Sequence, residues 1–315
     1  MTIADEFVAY LRTNGYHPRC SRHSDFLSRI IINDLIERCP VIRAKAARGE
    51  LVVQLHHHQM VGVDDWQIDI ALGTCAGSPI PPISRPEEPD RLPITFAAPV
   101  IVQIAIELKG VMTEHRKARR NRLRDFGAFL GHAHRYDPKA VVAVFLVVNS
   151  SDWFYSQLNL GKTTRPELTR HGGKTRTGRQ IAKEVVDLYR SIRLRHSPHD
   201  MFGLDGIGVI AIEHDNIALH PEAGKYAAVH KPTGVAPVPP APAQGDPLHY
   251  EAMLQRIAYA YTARFGAELT YAAPLVAAHA AGSRVPPRAP PSCGSRAPRE
   301  DSRARQRGRL GWMPA

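Results

Sequence analysis

Three residues of this chain have types and spacing suited to hydrolytic chemistry. They are Asp69 in WQIDIALG (66–73), and Glu107 and Lys109 in IVQIAIELKG (101–110). In a β-strand successive side chains alternate between faces, so Glu107 and Lys109, two apart, project together. Val100, Val102, Ile104, Ile106 and Leu108 are expected to line the opposite, apolar face. A packed sheet has little reason to place two charges there. An Asp on one strand and Glu-x-Lys on its neighbour form a constellation for holding a divalent cation and a water. Magnesium wants hard oxygen ligands and keeps several waters. Asp69 and Glu107 would supply carboxylate oxygens and Leu108 its backbone carbonyl, while Lys109 would orient the attacking water and offset charge building on a phosphate.

Taken with the order of the surrounding elements, these residues resemble the PD-(D/E)XK nuclease superfamily, the restriction-endonuclease-like fold. Asp69 matches the first acidic position, Glu107 the second and Lys109 the lysine. The resemblance spans about residues 24–149. It implies an α/β fold with an αβββαβ core around a mixed central sheet, and Mg2+ as cofactor, with Mn2+ able to substitute. It also implies phosphodiester hydrolysis in nucleic acid, with duplex DNA foremost, and a homodimer serving restriction or defence. The sequence departs from the pattern twice. Ile68 stands where the superfamily often has Pro, and 37 residues separate Asp69 from Glu107, so an insertion must lie between the strands. In some members a helical Glu assists the metal; Glu37 is the candidate here, and Asp65 and Gln67, on the strand face of Asp69, are candidate auxiliary groups. Two other readings stand beside the nuclease: a non-catalytic nucleic-acid-binding module on the same fold, and a structure-selective or RNA-directed nuclease.

The elements that must position these residues follow from hydrophobic periodicity. Helices are expected over 2–13 and from Ser24 or Asp25, as cap, to about residue 38, where Phe26, Leu27, Ile30, Ile31, Leu35 and Ile36 recur at helical spacing. LVVQLHH (51–57) and DDWQIDIALG (64–73) read as paired strands with a turn at Gly62, and 100–108 as a third. Between them residues 76–99 hold seven prolines, which no central strand or helix interior tolerates. A helix over 113–133 and the apolar strand 140–149, the expected sheet centre, complete the core. A helix over 178–194 and a strand at 208–214 follow. The nuclease-like domain is thus read as 1–231, a Pro-rich linker as 232–247, and a helical segment docking on the core as 248–281. Residues 282–315 read as a disordered Arg- and Pro-rich tail, with too few large apolar groups to offset the entropy of ordering.

The formal net charge of +11 suggests a polyanionic partner. Residues 284–315 hold eight Arg against Glu300 and Asp301, which leaves +5 for the rest, so clustering matters more than total charge. Arg116, Lys117, Arg119, Arg120, Arg122 and Arg124 place six cations in nine residues just beyond Glu107 and Lys109. Lys162, Arg165, Arg170, Lys174 and Arg176 form a second basic stretch. Such groups bind phosphates with salt-dependent, largely sequence-independent affinity. The run His56, His57, His58 would be split across two strand faces, which argues against a metal site there. GKTT (161–164) lacks the Gly at 156 that a phosphate loop requires, since Ser156 stands there. Four cysteines without paired spacing point to a reducing cytoplasm and argue against zinc or disulfides. No apolar run reaches the roughly 20 residues a membrane span needs, so no membrane partner is expected.

Overall fold

The computed structural model describes residues 1–82, 93–113, 115–156, 168–172, 175–220 and 222–266. Residues 1–273 form one compact unit, and a second, 274–315, lies outside the described residues. The helices are α1 (Ile3–Asn14), α2 (Arg22–Arg38), α3 (Pro40–Ala47), α4 (His115–Tyr136), α5 (Gly178–Tyr189) and α6 (Tyr250–Phe265). The main strands are β1 (Val52–Val61), β2 (Asp64–Thr74), β4 (Ile101–Val111), β5 (Val141–Asn149) and β8 (Gly206–Glu213). Short pieces make up β3 (Thr95–Phe96), β6 (Trp153–Tyr155), β7 (Leu168–Arg170) and β9 (Gly234–Val235).

The principal sheet runs β3-β1-β2-β4-β5-β8-β9 and is mixed. β1, β2 and β4 are antiparallel neighbours, whereas β4, β5 and β8 are parallel. Parallel neighbours need a crossover; α4 makes the one from β4 to β5. The architecture is therefore α/β in three layers. α1, α2, α3 and α6 cover one sheet face, and α4 and α5 the other. All nine residues of β5 are buried, as expected for a strand with helices on both faces. The proline-rich insertion contributes β3, and the stretch 232–247 contributes β9, which pairs with β8. In α6, Met253, Leu254, Ile257, Tyr261 and Phe265 enter the core beside β5 and β8.

Just before β8, Arg195 and Arg264 clamp buried Asp205. Its Oδ2 also accepts the Val142 N–H at 2.9 Å, which ties α6 to the start of β5.

Three local expectations need correcting, the first being the helix expected over 178–194, which ends at Tyr189. The helix over 22–38 begins before Ser24; its cap residue is Ser21, which makes no side-chain capping bond, and Asp25 is turned toward β1 instead. The face assigned to β4 also breaks. The pairing shifts between Leu72↔Ile104 and Gly73↔Val102, leaving Gln103 as an extra residue. Ile104, Ile106 and Leu108 pack with α1 and α2, but Val102 packs on the α4 side and Val100 is 57% exposed. Gly73 permits this close approach: a Cβ there would lie 1.9 Å from the Ile101 carbonyl oxygen.

Candidate active site

The β2–β4 ladder runs from Thr74↔Ile101 to Ile70↔Ile106 and stops. The next residue of β2 is Asp69. Its Oδ2 accepts the Leu108 N–H at 2.7 Å, so a carboxylate takes the place of a strand carbonyl where the two strands part. Glu107 and Lys109, two apart, flank Leu108. Lys109 Nζ makes an ion pair with Glu107 Oε1 and lies 3.9 Å from Asp69 Oδ2. The three side chains are only 16% (Asp69), 10% (Glu107) and 22% (Lys109) exposed, so their charges act through little water. The structure thus brings together all three residues singled out in the sequence.

Their electrostatics are unbalanced. Burial, and then the negative charge of Asp69, push the Glu107 carboxyl up to about 7, against the pull of Lys109. Two carboxylates share one ammonium, and near neutral pH the Glu107 carboxyl is only partly ionised. A divalent cation would relieve this repulsion. The donor set is two carboxylates with hard oxygens. The Leu108 carbonyl is turned to the same strand edge as its N–H, since both polar groups of a strand residue point one way. Among the described residues no group of three or more His, Cys, Asp or Glu side chains is placed to hold a metal. Two carboxylate side chains would leave most of a bound cation's shell to waters, unlike the closed four-ligand shell of structural zinc.

Beside the triad opens a pocket of about 190 Å³, lined by Tyr16, His23, Ser24, Asp69, Lys109 and Arg122 among others. Burial pushes the Tyr16 hydroxyl up to about 12, despite the charge of Arg122, so it stays a neutral donor. Arg122 reaches in from α4. Its Nη1 donates to Asp125 Oδ2 at 3.0 Å, but its Nε is buried with no hydrogen-bond partner among the described residues. The Arg122 side chain is nonetheless 38% exposed at the pocket, and such a guanidinium suits an anionic oxygen.

The remaining sequence candidates divide. Arg119 and Arg176 both pair with Glu184, which ties α4 to α5 and engages cations expected to face phosphates. Arg120 is exposed, and the exposed Arg170 lies 5.6 Å from the Trp153 ring centroid. Lys162, Arg165 and Lys174 lie outside the described residues, as do the side chains of Arg116 and Lys117. The auxiliary assignments do not fit. Glu37 is exposed on α2, where it accepts from Asn33 at 3.1 Å. Asp65 is exposed and pairs with His58 Nδ1 at 2.8 Å, and Gln67 is exposed as well. Alternation had placed Asp65 and Gln67 with Asp69, but the strand changes face at Asp69, as described below.

The group from α2 that does approach is Asp25, through His56. His56 Nε2 lies 2.7 Å from Asp25 Oδ1, and its Nδ1 lies 3.8 Å from Asp69 Oδ1. Neither His56 nor Tyr16 stood out in the sequence; the histidine run was the only signal, and it named no partner. No family model matches the sequence, and neither a curated protein nor a solved structure matches the chain. Among the described residues no helix is long and apolar enough to cross a membrane.

Proposed function

We propose that this chain is a Mg2+-dependent nuclease of the PD-(D/E)XK, restriction-endonuclease-like type, hydrolysing phosphodiester bonds with duplex DNA as the foremost substrate. The observation that carries the reading is Asp69 seated on the Leu108 amide where β2 and β4 part, with Glu107 and Lys109 closing around it. The element order supports it: helix, antiparallel β1, β2 and β4, the α4 crossover, then parallel β5. Asp69, Glu107 and the Leu108 carbonyl would hold Mg2+, or Mn2+ in its place, which when bound polarises a phosphoryl oxygen and lowers the pKa of water.

The chain's own groups do the rest. Lys109 Nζ, fixed by Glu107, points a hydrogen-bond donor at the water that attacks phosphorus and offsets the charge gained by the phosphate. Arg122, which lines the pocket with a side chain 38% exposed, donates from its guanidinium to a non-bridging phosphate oxygen. The low exposure of the triad strengthens each of these interactions.

The test separates chemistry from binding. Lys109→Ala should reduce cleavage of duplex DNA in Mg2+ to background while leaving duplex affinity within a few-fold of wild type. Arg122→Ala should weaken binding and make its salt dependence shallower, by a log–log slope of about 0.9 for one lost phosphate contact. Cleavage that persists in both Lys109→Ala and Glu107→Ala, purified identically, sinks the assignment. A wild type that binds DNA or RNA but cuts neither in Mg2+ or Mn2+ is a nucleic-acid-binding module.

A further inference from the structure

His56 has a backbone φ of +52° and is one of two non-glycine residues with positive φ among the described residues. This left-handed conformation is disfavoured for a residue carrying a Cβ, and inside a strand it breaks the regular alternation. His56 sits in mid-β1 directly across from Asp69, between the pairs Leu55↔Ile70 and His57↔Ile68.

Both strands change face at this point. In β1, Val53 and Leu55 pack on the α1–α2 side but Val61 on the α4 side. In β2, Trp66 and Ile68 pack on the α4 side but Ile70 and Leu72 on the α1–α2 side. An uninterrupted strand would keep Ile68 and Ile70 on one face. Asp69 is therefore the residue about which β2 turns, and His56 is its counterpart in β1.

The imidazole is engaged as well. Its Nε2 is 2.7 Å from Asp25 Oδ1, in the first turn of α2, and its Nδ1 faces Asp69 Oδ1 at 3.8 Å. The other Asp69 oxygen is already taken by the Leu108 N–H. The carboxylate is thus bounded by a strand amide on one side and a helix-anchored ring on the other. Sites of backbone strain and strand irregularity recur where a side chain must be re-aimed.

We propose that His56 is a positioning residue. Its left-handed backbone turns Asp69 into the gap beside Leu108, and its ring, held by Asp25, keeps the carboxylate there. What this positioning is for rests on the nuclease reading, but whether it occurs does not.

The experiment reads the Leu108 amide directly, by hydrogen exchange in the full chain without metal. Asp69→Ala removes the acceptor and sets the reference loss of Leu108 protection. His56→Val, whose β-branched side chain resists positive φ, should lose at least tenfold in protection. His56→Gly accepts positive φ but lacks the ring and should lose less; His56→Asn, which tolerates that backbone and keeps a polar group, should recover part of the loss. Mn2+ affinity, measured by titration calorimetry without substrate, should fall in the same order. Wild-type protection and Mn2+ affinity in both the Val and Gly variants would overturn the proposal. If the Val variant does not fold, the Gly variant decides: protection lost supports it, and protection kept overturns it. Loss of protection in a chain whose wild type cuts no nucleic acid would uphold His56 and remove the nuclease reading.

Discussion

In the metal-free chain Glu107 carries its charge at a cost that can be worked from its surroundings. Its carboxyl is pushed from 4.5 up to about 7, burial being the main cause and Asp69 the second. The folded chain therefore binds a proton there more tightly than the unfolded chain does. Stability from this group is full below pH 4.5, is lost as pH rises through the window from about 4.5 to about 7, and stays lost above it. One pKa unit is about 1.4 kcal/mol, so ionised Glu107 costs on the order of 3 kcal/mol at pH 8. The attraction of Lys109 is already included, since it acts on the same carboxyl in the opposite direction. Glu107→Gln removes the charge and keeps the shape. It should raise stability at pH 8 in chelator by roughly 3 kcal/mol, or about 6–12 °C in Tm for a domain of this size, and change little near pH 4. Circular dichroism melts at both pH values provide the measurement. Adding Mg2+ should then raise the Tm of the wild type but not of the variant, because a ligand stabilises only the state that binds it. A Glu107→Gln chain less stable than wild type at pH 8 in chelator would refute the reasoning, for then the site would not be strained by like charges.

Other consequences are independent of the triad. His115 and His171 are buried with ring centroids 4.2 Å apart, and burial holds them down to about 3 and about 4. Folded, they stay neutral where the unfolded chain takes up protons, so their contribution is intact above about pH 6.5 and is lost as pH falls toward 4. The slope should be about 2.7 kcal/mol per pH unit, and urea unfolding of a His115→Phe/His171→Phe double variant should lack it. Asp205→Ala leaves Arg195 and Arg264 buried without their carboxylate and should cost about 3–5 kcal/mol by urea unfolding; a loss under about 1 kcal/mol would show that water replaces the partner. Deleting residues 282–315, whose composition offers no core, should leave Tm unchanged within about 2 °C and weaken non-specific DNA binding; a large fall in Tm would show that this segment packs.

Local pattern carried much of the architecture. Alternation over Glu107–Lys109 is enough to put these two on one side of a strand, and the unbroken apolar run 140–148 can be accommodated only where both faces are covered. The helical spacing of Met253, Leu254, Ile257, Tyr261 and Phe265 likewise commits α6 to the core. These are properties of a few consecutive residues, and they read directly from composition and period. What the tertiary structure decided lies between distant segments. The β2–β4 ladder ends at Ile70↔Ile106, and only that ending frees the Leu108 amide for Asp69. An extra residue at Gln103 moves Val102 to the other face, and the turn at His56 removes Asp65 and Gln67 from the company expected for them. Glu184, 65 positions beyond Arg119, engages a cation that sequence alone assigned to phosphate. Alternation says which way a side chain points along its own strand. Where a strand leaves its neighbour, and which charge waits there, depends on register and packing across the sheet, which no local period encodes.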